Sequence, residues 1–174
     1  NSFIAVEDKN FYTNPGIDFI GIIRSLILNI HHLKTNQPLV GGSTITQQVI
    51  KNFLLGNEKS LRRKVREAIL AIKLNMTLSK NEIMELYLNK IYFGHGAYGI
   101  AAASLKYFNK SIDQLSLEEG ALLAALPQAP SKLDPFKNLD IAKERRNWVL
   151  YKMFDERFIS YSEYLKAQSI PVMI

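Results

Sequence analysis

A mainly α fold in a single domain is what this sequence of 174 residues predicts. Three observations lead there. Leu61, Val65, Ala68, Ile69, Ile72 and Met76 recur at helical spacing and form one apolar stripe. The stretches SKNE (79–82), SLEE (116–119) and SYSE (160–163) carry the capping-box pattern that opens helices. No run alternates with period two between hairpin turn signals. Hydrophobic residues make up 47% of the chain, enough apolar mass for a core.

The elements follow in order. IDFIGIIRSLILNIHHL (17–33) is apolar on most faces, broken by Asp18, Arg24 and Asn29. Such a helix is buried in a core or laid against lipid headgroups, and composition alone favours the core. KTNQPLVGGS (34–43) is a loop with proline and paired glycines. A helix begins near Thr44 and runs to about Leu55; Ser60 caps the next one. The SKNE box opens a helix through Ile83, Leu86 and Tyr87. A glycine-rich loop, FGHGAYG (93–99), precedes the small-residue helix IAAASLKYF, and the SLEE box precedes GALLAAL. LPQAPSKLDPF (126–136) holds three of the six prolines and is a loop. A last pair of helices covers about 141–155 and 161–168. There is no internal repeat and no low-complexity segment. The opening residues are already motif-like, the pattern of a domain parted from its leader.

Lys plus Arg number 22 against 16 for Asp plus Glu, a net charge of +6. That balance suits phosphates, an anionic membrane face or nucleic acid, and equally plain solubility. The absence of cysteine excludes disulfides and thiolate metal sites and leaves the compartment open. No signal peptide is present, and no run of about 20 apolar residues that would span a membrane.

Three stretches carry chemistry. In VEDKNFYTNPG (6–16), Glu7 and Asp8 follow the apolar FIAV. Acids so placed sit at a pocket mouth, where partial burial suits a carboxyl to proton transfer, or are ordinary surface acids at a helix end. In LRRKVREAILAIKL (61–74), Arg63 and Lys64 precede Glu67 by four and three residues, so all three share one helical face, with Arg66 alongside. That face is a surface salt-bridge cluster or a clamp for an anionic leaving group. In GGSTITQQVIKN (41–52), Gly41 and Gly42 let backbone approach a ligand closely, and Ser43, Thr44 and Thr46 sit at a helix start whose free N–H groups bind anions. Gln48 lies one turn before Lys51 and Asn52. A capped helix start is the plainer alternative. Taken together, two glutamates, cationic helix faces and a hydroxyl–amide loop form a kit for a sugar phosphate or sugar diphosphate.

The motifs in which these residues stand resemble those of one family. EDKNFYTNPG looks like the first motif of the glycosyltransferase domain of class A penicillin-binding proteins and monofunctional peptidoglycan glycosyltransferases. GGSTITQQVIKN is similar to the second at nearly every position, RRKVREA to the third, and EIMELYLNKIYFGHGAYGI and ALLAALPQAPSKLDPF to the fourth and fifth. RRNWVLYKM fits as well. The resemblance runs in order over residues 1–174. It implies a single lysozyme-like domain with a large head lobe and a small membrane-proximal jaw lobe at roughly 17–42, which shifts the apolar segment toward membrane contact. It also implies that the transmembrane helix usual before the first motif, and any transpeptidase domain, lie outside this chain.

The resemblance implies a reaction too. Lipid II units are joined into glycan strands with release of undecaprenyl diphosphate, at the outer, periplasmic or extracytoplasmic, face of the bacterial cytoplasmic membrane. Glu7 is then the general base on the acceptor's GlcNAc 4-hydroxyl, and the donor's MurNAc C1 inverts from α to β. Glu67, with Arg63, Lys64 and Arg66, assists the departing diphosphate. Lys51 and Lys59 serve the acceptor, Ser43, Thr44, Gln48 and Asn52 line the substrate region, and Asp8, Phe11 and Asn89 support the site. Asn14 stands where the first motif usually has His; it keeps a neutral hydrogen bond but does not titrate near neutral pH. No cofactor and no metal ligand is assigned, although some relatives are helped by a divalent cation (Mg or Mn) to which Asp8 and Glu67 can offer oxygens. His31 and His32 are adjacent and point apart on a helix. The partners implied are lipid II, the growing glycan, the membrane surface and other cell-wall synthesis proteins. Nucleic acid is not among them, because residues 59–67 interleave no aromatics with their cations. Two alternatives remain at this stage. A lysozyme-like glycan hydrolase also needs two carboxylates, but not a helix loaded with cations beside the second. A non-catalytic membrane-surface module would not need both Glu7 and Glu67.

Overall fold

The computed structural model describes residues 1–35, 41–55 and 60–174. Its helices are α1 (Ser2–Glu7), α2 (Phe19–Thr35), α3 (Ile45–Ile50), α4 (Leu61–Thr77), α5 (Lys80–Lys90), α6 (Ile100–Phe108), α7 (Leu117–Ala125), α8 (Leu139–Asp155) and α9 (Tyr161–Ser169). A π-helical segment, Lys51–Leu55, continues α3. Among the described residues there is no strand, only an isolated bridge between Tyr92 and Tyr98. The mainly α expectation holds, and the helix limits fall within two residues of those expected for the last pair. The chain forms two compact units: residues 1–9 with 88–174, and residues 10–87.

The first unit is built around α7, whose residues Ala121 to Ala125 are all buried. Small side chains on LEEGALLAA let α8, α1 and α6 pack closely on it. Phe3 and Ile4 of α1, Phe93, Tyr107, Val149 and Leu150 complete the core. The loop after α7 is pinned by buried Asp134. Its Oδ1 accepts from the Phe136 N–H at 3.0 Å and faces His95 Nε2 at 2.9 Å. Burial opposes ionisation of Asp134, but these hydrogen bonds and the His95 and Lys137 charges outweigh it and hold the carboxyl below its ordinary value. Burial, then the Asp134 and Tyr92 charges, push the Tyr107 phenol up to about 12, and its hydroxyl donates to Phe93 O at 2.8 Å. Arg146 is also buried, its guanidinium donating to Ile170 O and Gln168 O, which ties down the segment after α9.

In the second unit α3 packs on α4, with Phe11, Ile17, Ile45, Val49, Ala71 and Ile83 in the core. Asp18 accepts from the Gly21 N–H at 2.8 Å, the bond of an N-cap, so α2 starts at Phe19 rather than at residue 17. The preference for core burial of this segment is corrected. Phe19, Ile20, Ile23, Leu26, Ile27 and Ile30 are all exposed, Ile20 by 69%, and Ser25 is the buried position. The stripe on α4 is likewise turned outward: Leu61, Val65, Ile69 and Met76 are exposed, while Glu67 and Ala71 are buried. The expected jaw, 17–42, lies within this unit, and its residues 36–40 fall outside the described residues.

Gly16 joins these parts. Its φ is +96°, and a Cβ there would lie 2.5 Å from Ala71 O. Asn14 Oδ1 accepts from the Gly16 N–H at 2.9 Å, and Lys80 Nζ donates to Asn14 O at 2.7 Å. Gly16→Ala is expected to cost about 2 kcal/mol or more, roughly 4–8 °C in Tm. Gly41→Ala, where a Cβ meets nothing within 4 Å, is expected to cost under about 0.5 kcal/mol. Equal losses in thermal melts would show that the Gly16 contact is not limiting.

Acid stability gives a second check. Glu119 is opposed by burial but held low by Lys110 and Ser116, as Asp134 is by its own partners. Stability from such carboxyls is present above their unfolded values near about pH 4 and is lost as pH falls through the lowered native values. Asp134→Asn is therefore expected to flatten the decline of Tm between about pH 5 and pH 2. An unchanged slope would mean that Asp134 is not a determinant of acid stability.

Candidate active site

The second unit encloses a carboxylate. α4 begins at Ser60, whose hydroxyl accepts from the Arg63 N–H at 3.1 Å. One turn later Glu67 is 1% exposed. Helical spacing places Arg63 and Lys64 over it. Arg63 Nη1 donates to Oε2 at 3.0 Å, and Lys64 Nζ donates to Oε1 and, at 2.8 Å, to Ser43 Oγ. Gln47 Nε2 donates to the same Oε1 at 3.3 Å. The outward turn of the apolar stripe is what brings this polar face inside.

Thr44 caps α3, as expected, and closes a capping box with Gln47. Thr44 Oγ1 also donates to Gly16 O at 2.7 Å. The close approach expected of the paired glycines is realised within the protein: a Cβ on Gly42 would lie 2.8 Å from Ser25 Oγ of α2. Ser43 is half-buried and joins the Glu67 cluster through Lys64. Gln48 is half-buried, while Lys51 and Asn52 are exposed on the π segment. Arg66 is exposed, about 100° around α4 from Glu67. Lys59 lies outside the described residues. Phe11 is a fully buried core ring with Lys80 Nζ 4.9 Å above it.

Glu7 belongs to the first unit. It ends α1, half-buried, and Asp8 beside it is buried. α1 packs on α8, from which the Arg145 charge acts on Glu7. Burial pulls the Arg145 guanidinium below its ordinary value, and the Glu7 charge partly offsets this. The guanidinium lies 3.7 Å from the Trp148 ring centroid. Asn89, in the same unit, is exposed, and its carbonyl is packed against Gly99. Among the described residues no group of three or more His, Cys, Asp or Glu is arranged to hold a metal ion.

Sequence reasoning missed Gln47 and Arg145. For Gln47 the signal was present: TITQ (44–47) has the capping-box spacing read elsewhere in the chain. For Arg145 only the RRNWVLYKM stretch pointed there.

Glu67 satisfies both oxygens internally, yet Lys64 keeps 44% of its side chain in solvent and Arg63 Nε is a buried donor without a partner among the described residues. A cationic cluster with unused donors beside a fixed carboxylate suits the departure of an anionic group. Such a cluster on a helical scaffold suits a glycosyl-transferring enzyme. The family model described as Transglycosylase matches residues 1–154, and the chain belongs to that family. It is by that match a transglycosylase domain, an enzyme that transfers glycosyl groups. It is 50% identical over 99% of its length to penicillin-binding protein 1A of Rickettsia prowazekii, covering 22% of that protein. It is 47% identical over 94% of its length to penicillin-binding protein 1A of Escherichia coli, covering 19% of it. The crystal structure of penicillin-binding protein 1A from Haemophilus influenzae superposes with a TM-score of 0.53 at 38% identity, over 74% of this chain and 16% of that one. The chain thus spans about a fifth of the length of the relatives it matches.

The cluster can be tested by a double-mutant cycle. Arg63→Ala leaves Glu67 buried with fewer partners and is expected to cost about 1–3 kcal/mol in urea unfolding. Adding Glu67→Gln removes the charge and is expected to recover much of that loss. Additive losses would show that Arg63 and Glu67 are not coupled.

Proposed function

We propose that the chain polymerises lipid II. The acceptor's GlcNAc 4-hydroxyl gives its proton to Glu7, and its oxygen bonds to the donor's MurNAc C1. The bond from C1 to the diphosphate oxygen breaks, the anomeric centre inverts from α to β, and undecaprenyl diphosphate leaves with the electron pair. The observation that carries this reading is the buried Glu67 carboxylate flanked by Arg63 and Lys64. A diphosphate already carries its charge, so its departure needs cations more than a proton. Lys64, with its open ammonium, and Arg63 meet the donor diphosphate; Arg66 adds to the attractive field from the solvent side. Lys51 and Lys59 serve the acceptor diphosphate, and Ser43, Thr44, Gln48 and Asn52 contact the sugar–phosphate region.

The substrate is lipid-linked, and α2 with its exposed apolar side chains is the element that meets the membrane surface. No helix among the described residues is long and apolar enough to cross a membrane. On this reading the reaction runs at the outer face of the cytoplasmic membrane, with 17–42 as the membrane-proximal jaw and cell-wall synthesis proteins as neighbours.

Incubation with labelled lipid II in detergent is expected to give a ladder of glycan that muramidase digests. Glu7→Gln is expected to abolish it, a loss of at least about 100-fold, with the melting temperature preserved. Polymer made at the wild-type rate by Glu7→Gln would remove Glu7 as the base.

A further inference from the structure

We infer that Gln47 is the positioning residue that aims the Glu67 carboxylate, and that an amide is required there because it must accept on one side and donate on the other. The inference rests on the part given to Glu67 in the proposed reaction. Gln47 is 1% exposed and stands third in the first turn of α3. Its Oε1 accepts from the Thr44 N–H at 3.0 Å. A backbone N–H can only donate, so the oxygen must face Thr44 and the NH2 must face Glu67 Oε1, 3.3 Å away.

The other capping boxes differ in burial. Those opened by Ser79, Ser116 and Ser160 use Glu82, Glu119 and Glu163, and the one opened by Ser111 uses Gln114, all of them exposed or half-exposed. A glutamate caps as well as a glutamine does, but it has no donor to turn toward a second carboxylate. At the buried box, glutamate in place of Gln47 would set two carboxylates against each other. Thr44 is itself fastened through Oγ1 to Gly16 O, so the amide hangs from backbone on a fixed turn.

This gives Gln47 a task that the cations cannot perform. Lys64 is long, 44% exposed and shared between Glu67 and Ser43. A lysine free to follow an anion cannot also hold the carboxylate still. Gln47 keeps Oε1 in place while Lys64 turns to the leaving diphosphate, and Arg63 holds Oε2.

The deciding variant is Gln47→Glu, which keeps the cap acceptor and loses the donor. For lipid II polymerisation, kcat is expected to fall by about 100-fold, as for a misplaced catalytic group, with KM changed less than about threefold. In 13C-carboxyl NMR of the 174-residue chain, the Glu67 titration is expected to move up by about one pH unit or more, because two carboxylates then share the site. Wild-type kcat together with an unmoved Glu67 titration would overturn the inference and leave Gln47 as a cap alone. If Gln47→Glu does not fold, Gln47→Met replaces it: a lower kcat at unchanged KM supports the inference, and a wild-type kcat overturns it. If the parent chain makes no polymer, the reaction reading fails, and the Glu67 titration in Gln47→Glu still decides whether the amide faces the carboxylate.

Discussion

A carboxylate withdrawn from water dictates the layout of the second unit. Isolated burial of an ion is so unfavourable that Glu67 can stay charged only where donors reach both of its oxygens. Two come from its own helix, at the only spacings that place side chains over it, and one comes from α3. That third donor forces α3 to start where it does. Thr44 must cap the helix so that Gln47 falls on the side facing α4, and Gly16 must pass close enough to Ala71 for Thr44 to bond its carbonyl. The orientation of α4, the first turn of α3 and the turn through Asn14 to Gly16 are one constraint seen at three places.

The same constraint explains the exposed apolar surface. A helix has one circumference, and α4 gives its inward arc to Glu67, Ala71 and the cations' stems. Leu61, Val65, Ile69 and Met76 are thereby left facing outward, where they cost solvation that a buried stripe would not. Such a concentration of apolar side chains on α2 and α4 is more than scattered surface hydrophobicity. It is in keeping with a protein whose substrate carries a lipid.

What the sequence made legible follows from the range of the forces involved. Helix existence and helix starts depend on neighbours within four residues, so Ser60, the SKNE, SLEE and SYSE boxes and the last helix pair were readable from spacing alone. The grouping of Arg63, Lys64 and Glu67 was readable for the same reason. Which arc of a helix turns inward is decided by partners distant in sequence. Apolar periodicity therefore pointed the wrong way for α4, and composition pointed the wrong way for α2, because both assume that apolar residues lead burial. Gln47 and Arg145 act across separations of 20 and 138 residues, reaching Glu67 and Glu7, and no local pattern reports such a pairing. The hydroxyl-rich stretch at 41–52 was legible as a helix start, but Ser43, Thr44 and Gln47 turn out to serve the scaffold that holds Glu67.

The two glutamates are treated differently, and the difference matches the work proposed for each. Glu67 sits mid-helix with direct cationic partners on both oxygens, an environment that fixes its orientation. Glu7 ends a short helix, where the terminal carbonyls disfavour negative charge, and it is only half-buried. Arg145 acts on it from α8, with its guanidinium 3.7 Å from the Trp148 ring centroid. A half-buried acid at a helix end can still be reached by a proton-bearing substrate, as the proposed general base must be. A carboxylate held between two cations can instead hold positive charge where negative charge leaves. The same residue type, set in two different surroundings, can thus take both parts in the proposed inverting transfer.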